Sequence, residues 1–267
     1  MLVETEIRDG VATLLLNRAD KRNALDRALM DSIAAAVDAV RDDPAVRVLV
    51  IRGAGPVFSS GIDHALLVEV FQKARSVPFS HLHHDLQEVF HRFERMRKPI
   101  IAAMHGVCAG MAFELALACD FRVATAECLV GLPEIHFGIV PDVGGTTRLT
   151  RAVGPVKARE LIMLGSLIPA AEAARLGLVT EVAADAEDMD ARVSALAAHL
   201  LALSPAALGH AKALVQQSAE IDARASYQLE GTVQEILLQQ PDLGERMPRA
   251  LQWIRDRLRA GRARAGG

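Results

Sequence analysis

The chain is poor in aromatic residues: one Trp, one Tyr and eight Phe among 267 residues, 4% in all. Surfaces that hold single-stranded nucleic acid stack bases on aromatic rings, so that role is not expected. Charge of one sign is also lacking. Thirty Lys and Arg face 33 Asp and Glu, for a net charge of −3 and an isoelectric point near 6.3. Non-specific attraction to nucleic acid or to an anionic membrane is therefore not expected. The three cysteines, Cys108, Cys119 and Cys128, form no Cys-x-x-Cys pair, which suggests reduced, buried thiols. The N-terminal MLVETEIRDG lacks a basic segment followed by an apolar stretch. The longest apolar run, Val107–Cys119, has 13 residues and contains Glu114. Crossing ~30 Å of hydrocarbon takes about 20 residues. A soluble, cytoplasmic protein is the expectation.

What is present is apolar. Hydrophobic residues make up 51% and mean hydropathy is +0.21, enough for a large core. Asp9-Gly10 between apolar runs at 2–7 and 11–16 predicts a hairpin. Asp26 is a candidate N-cap for a helix whose apolar positions are Leu29, Ile33, Val37 and Val40. Strands are predicted at Val46–Ile51, Ile100–Met104 and Phe121–Ala124, with helices over 85–98 and around 113–118. Residues 54–82 and 129–148 read as irregular. Beyond Gly154 the pattern is helical at 156–164, 170–176, 188–202, 205–217, 222–239 and 247–260, with a frayed tail. The fold class is α/β: a core over 1–200 and a C-terminal helical region over 201–267.

Three segments could carry chemistry. GAGPVFSSGID at 53–63 follows a strand, but Phe58 stands where a dinucleotide fingerprint needs its third glycine. HGVCAGMAFE at 105–114 runs from a strand through a glycine turn into a helix, with Glu114 near the helix start. Free amides there suit an anion, and Glu114 either complements the helix dipole or does acid–base work. GLPEIHFGIVPDVGGTTR at 131–148 holds Glu134 and Asp142 in a Gly- and Pro-rich loop.

These residues resemble the crotonase, or enoyl-CoA hydratase/isomerase, family. The similarity covers NRADKRNALD (17–26), VLVIRGAGPVFSSGID (48–63), KPIIAAMHGVCAGMAFELALACDFRVAT (98–125), LPEIHFGIVPDVGGTTRLTRAVG (132–154), AAEAARLGLVTEV (170–182) and SPAALGHAK (204–212). It implies a spiral of ββα units, with a C-terminal helical region that packs trimers or hexamers. It implies an acyl-CoA thioester substrate and no metal or redox cofactor, coenzyme A being part of the substrate. The backbone N–H groups of Ile62 and Met111 would hold the thioester oxygen. Lys21, Arg22, Ala24, Ser60, Gly61, Asp63 and Gly110 would line the substrate and CoA site, with Arg18 beside them.

By the same resemblance, Glu114 and Glu134 match the two glutamates that add water across the C2=C3 bond of an enoyl-CoA. Asp142 is unlike many hydratases, which have glycine there, and like dienoyl-CoA isomerases, which carry an acid. FSSGID at 58–63 is also isomerase-like, although those isomerases have aspartate where Glu114 stands. Met111, Ala112 and Ile62 are bulkier than the residues common in relatives. The reading is an enoyl-CoA hydratase. The alternatives are an acyl-CoA double-bond isomerase using Glu134 and Asp142, and a catalytically silent acyl-CoA-binding protein. His81, His83, His84 and Asp85 read as a polar helix entry rather than a metal site, and His64 as a channel residue. Ser59 and Ser60 lack the Gly-x-Ser-x-Gly elbow of a serine nucleophile.

Overall fold

Asp9 and Gly10 both adopt positive φ, 49° and 83°. That is the conformation a tight two-residue hairpin turn needs. It pairs β1 (Val3–Arg8) antiparallel with β2 (Val11–Leu16). The structure, a computed structural model, describes residues 1–73, 76 and 78–265, without the side chains at 79–82 and 259–265. The Asp26 carboxylate accepts from the Leu29 amide and opens α1 (Arg27–Asp42), whose buried face is Leu29, Met30, Ile33, Val37 and Val40. Then come β3 (Val48–Gly53), α2 (His64–Lys73), α3 (Phe79–Arg95) and β4 (Ile100–Met104). They are followed by β5 (Val107–Ala109), α4 (Met111–Leu117), β6 (Phe121–Thr125), β7 (Leu129–Gly131) and a 3-10 turn at Glu134–Phe137. The rest is α5 (Gly145–Leu164), β8 (Leu167–Pro169), α6 (Ala170–Arg175), β9 (Glu181–Ala183), α7 (Ala186–Ala202), α8 (Pro205–Ser218), α9 (Ala223–Leu238) and α10 (Leu243–Ala265).

Two sheets result, in the orders β1-β2-β3-β4-β6-β9 and β5-β7-β8. β4 and β5, then β6 and β7, give one strand to each sheet before a helix returns. This alternation is the spiral of ββα units. From β2 onward the larger sheet is parallel. Parallel strands are covered on both faces, which explains their unbroken apolar runs. Leu49 and Ile51 of β3 join the core with α1, α3 and α4. Val48 and Val50 face the other way, onto Met189, Val193, Ala197 and Leu200 of α7.

Several expectations are corrected. The first buried strand begins at Val48, not Val46. The segment read as irregular contains α2 and the first turn of α3, which ends at Arg95 rather than residue 98. The second irregular segment contains β7 and the 3-10 turn. α5 starts at Gly145, not 156, and bends at Gly154. The region after Gly154 is not purely helical, because β8 and β9 interrupt it. α10 runs through Ala265 where fraying was expected.

The chain divides into two compact units, Met1–Lys212 and Ala213–Gly267. Lys212, the last residue of the first unit, is tied into it. Its Nζ donates to the Phe93 carbonyl and to Asp120 Oδ2, both at 2.8 Å. The second unit is α9 and α10 with the end of α8, and Asp222 caps α9. Among the described residues no single helix is long and apolar enough to cross a membrane.

Candidate active site

The 58–62 loop is fixed from three sides. The Phe58 and Ser59 amides donate to the His105 and Val107 carbonyls at 2.9 and 3.1 Å. The Leu25 amide donates to the Gly61 carbonyl at 2.8 Å, and Asp63 N–H to the Leu25 carbonyl at 3.0 Å. Beneath the loop lies Asn23, fully buried, whose Nδ2 donates to the carbonyls of Ala54, Val57 and Phe58 while its Oδ1 accepts from the Arg18 amide. Gly61 has φ +92°, and a Cβ there would lie 2.5 Å from the Ala109 carbonyl oxygen. No side chain fits such an approach. The Ile62 amide makes no hydrogen bond to another group among the described residues.

The same holds for the Met111 amide, the first of α4, next to Gly110. A Cβ on Gly110 would stand 3.0 Å from Glu134 Oε1. One turn into α4 is Glu114, 1% exposed. Its Oε2 accepts from the Gly145 amide at the start of α5, at 2.6 Å. Burial, reinforced by the Glu134 charge, nevertheless raises its pKa to about 8. Glu134 opens the 3-10 turn after Pro133, and its Oε2 is buried without a hydrogen-bond partner among the described residues. Burial, with a contribution from Asp142, raises its pKa to about 7. Asp142 is also pushed up by burial, against the pull of His83.

All three carboxylates face one cavity of about 360 Å³. Its apolar walls are Ile62 and Met111, Leu67, Val70 and Phe71 of α2, Leu86 of α3, and Ile139 and Val140. An adjoining pocket of about 190 Å³ adds Ser60, Gly61, His64 and Gly110. Two larger grooves, of about 590 and 470 Å³, lie along the outer hairpin and α7. They are open and hold none of Glu114, Glu134, Asp142, Ile62 and Met111, so the smaller cavity is the candidate site.

Glu114, Glu134, Asp142, Ile62, Met111, Ser60, Gly61 and Gly110 thus meet around one space. Lys21 and Arg22 are exposed, on a turn joined to the pocket rim by the Ser60 amide, which donates to the Arg22 carbonyl at 3.0 Å. Ala24 is buried, its carbonyl accepting from Arg18. Arg18 and Asp63 pair with each other at 2.6 Å, and Arg18 also meets Asp26 at 3.1 Å. The Arg18 hydrogen bond holds Asp63 below the usual carboxylate range. Neither residue is among those lining the cavity, and their ion pair ties the Arg18 segment to the end of the 58–62 loop. His83 bonds to the Asp142 carbonyl, His84 is exposed, and the side chain of His81 lies outside the described residues. No metal-holding group of three or more His, Cys, Asp or Glu occurs among the described residues. Sequence reasoning missed Asn23, whose tolerance of positive φ and dual donor–acceptor amide were readable signals, and the Glu94–Arg148 pair, which had none.

The enoyl-CoA hydratase/isomerase family model matches residues 6–249. The chain belongs to this family. It is 37% identical over 227 residues to crotonyl-CoA hydratase of Syntrophomonas wolfei, covering 84% of this chain and 85% of that one. It is 33% identical over 249 residues to the enoyl-CoA isomerase/hydratase fer4 of Mycosarcoma maydis, covering 88% of each. An enoyl-CoA hydratase subunit from Geobacillus kaustophilus superposes with a TM-score of 0.85 at 32% identity, over 94% of this chain and 95% of that one. A Thermobifida fusca protein solved with acetoacetyl-CoA superposes at 0.80 with 35% identity, over 89% and 94%.

Proposed function

We propose that the protein is an enoyl-CoA hydratase, adding water across the C2=C3 bond of a trans-2-enoyl-CoA. The observation that carries this reading is the pairing of Glu114 and Glu134. One buried and one half-buried carboxylate on one cavity hold their protons to about pH 8 and 7. Between those values the pair keeps one proton, so one member is a base while the other is an acid. Glu134, with the lower value and an oxygen unpartnered among the described residues, takes the proton from water as its oxygen attacks C3. Glu114 supplies the proton that ends on C2. Negative charge passes through the thioester oxygen, which the Ile62 and Met111 amides would receive. Fixed donors of this kind favour the transition state over the ground state, and one is worth about 3–4 kcal/mol.

Addition of water is redox-neutral, so the chemistry calls for no redox cofactor, and the amides supply what a Lewis acid would. The acyl-CoA class is supported by the relative solved with acetoacetyl-CoA. The exposed Lys21 and Arg22 are the cations for the CoA phosphates. A cytoplasmic homotrimer or homohexamer fits the family resemblance. The test is crotonyl-CoA hydration, followed by loss of the conjugated absorbance. Glu134→Gln should lower kcat about 100- to 10,000-fold with little change in KM. Unchanged turnover in a folded variant refutes the role.

A second reading is favoured by Asp142, whose carboxylate faces the same cavity. An isomerase would move a proton between Glu134 and Asp142 along a longer acyl chain. The paired glutamates argue against a silent binding protein.

A further inference from the structure

Behind Glu114 is an ion pair that does not face the cavity. Arg148 of α5 meets Glu94 of α3 through Nε to Oε1 and Nη2 to Oε2, both at 2.8 Å. The Arg148 side chain is 10% exposed. Its third contact is to backbone: Nη1 donates to the Val143 carbonyl at 2.9 Å. It also covers Gly144, whose φ is +105°, so closely that a Cβ there would lie 2.2 Å from Nη1. The next residue is Gly145, whose amide holds Glu114. A Cβ on Gly145 would lie 2.6 Å from Glu114 Cγ, so turn and side chain are packed without slack.

We infer that Arg148, clamped by Glu94, is a positioning residue for Glu114, holding the 143–145 turn so that the Gly145 amide fixes the Glu114 carboxylate against the cavity. This rests on the hydratase reading only for the choice of substrate. The clamp has two physical parts. One is geometric, because the bidentate pair ties α5 to α3 and leaves the guanidinium one orientation. The other is electrostatic. The groups acting on Glu114 are Glu134 and Asp142, which raise its proton affinity, and the Gly145 amide and Arg148, which lower it. Glu94, although burial works against its charge, is held ionised by Arg148, with His91 and Lys212 adding to the effect. Removing the cation should therefore loosen the turn and make Glu114 hold its proton more tightly.

The test compares wild type with Arg148→Met, Arg148→Gln and Arg148→Lys in the full chain. Hydration of crotonyl-CoA is measured across pH, and the Glu114 carboxyl is titrated by NMR of isotope-labelled Glu, assigned with Glu114→Gln. Arg148→Met and Arg148→Gln should lose at least ~10-fold in kcat with KM changed less than ~3-fold. Their Glu114 titration and alkaline limb should both move to higher pH. Arg148→Lys keeps the charge, so its titration stays near wild type while kcat is only partly restored, for want of the fork. A role in stability alone would leave both titration and kcat unmoved in the folded variants, and that result overturns the inference. Should Arg148→Met fail to fold, Arg148→Gln, which keeps a donor for Val143, decides by the same readouts. Absence of wild-type hydration would sink the hydratase reading, and the NMR titration would still decide the role of Arg148.

Discussion

The Gly145 amide donates to Glu114 Oε2 from 2.6 Å, yet the carboxyl keeps its proton to about pH 8. One charge-stabilising hydrogen bond does not offset burial beside a second acid. This has a consequence for stability. Below the unfolded value of 4.5, Glu114 is protonated folded or unfolded, and its contribution is fully present. As pH rises toward 8, the unfolded chain releases a proton that the folded chain retains, so stability falls. The loss is on the order of 5 kcal/mol. Glu114→Gln should match wild type in thermal stability in acid and exceed it increasingly through the alkaline range. A stability difference that does not vary with pH contradicts this origin.

The paired carboxylates also set a pH window for rate. Below about 7 Glu134 gains a proton and ceases to be a base, and above about 8 Glu114 loses the proton it must donate. The profile of kcat/KM for crotonyl-CoA should be bell-shaped and narrow, with its maximum between these values. Glu114→Gln should remove the alkaline limb from the residual activity. A flat profile across this window argues against the split of roles.

Asp142 separates the two enzyme readings. Its carbonyl is held by Gln87 Nε2 at 2.9 Å and by His83, so an isosteric change at the side chain leaves the loop in place. Asp142→Asn should change crotonyl-CoA hydration only modestly if water is handled by Glu114 and Glu134. On a 3,5-dienoyl-CoA the same change should cost about 100-fold or more if Asp142 moves the proton. Slow wild-type hydration beside fast, Asp142-dependent isomerisation reverses the assignment.

Asn23 supports the amide of Ile62 from below. Asn23→Ala removes three donations to loop carbonyls and places a Cβ-bearing residue without a compensating side-chain bond at φ 52°. The expected cost is ~2–4 kcal/mol, with a fall in kcat as the loop drifts. Asn23→Gly relieves the backbone strain and should be the milder variant by up to ~1 kcal/mol. Equal melting temperatures for the two would show that strain at this residue is negligible.

Local signals carried much of the fold. Asp9-Gly10 set the hairpin, Asp26 the first cap, and the apolar runs at β3, β4 and β6 the buried strands, because each depends on a few neighbouring residues. The three-residue strands β5, β7, β8 and β9 have no period to read, and their partners lie far along the chain, as with Val130 against Ile168. α2 was hidden because its buried positions, Leu66 and Val70, make a weak pattern once the helix also lines a cavity. For the site, motif order alone determined that Glu114, Glu134, Asp142, Ile62 and Met111 belong together. Tertiary structure alone decided how tightly those groups hold protons and what holds them in place. Arg18 pairs with Asp63 across 45 positions, and Gly145 meets Glu114 across 31. Proton affinity follows from burial and from charges brought near by folding, and neither is a property of local sequence.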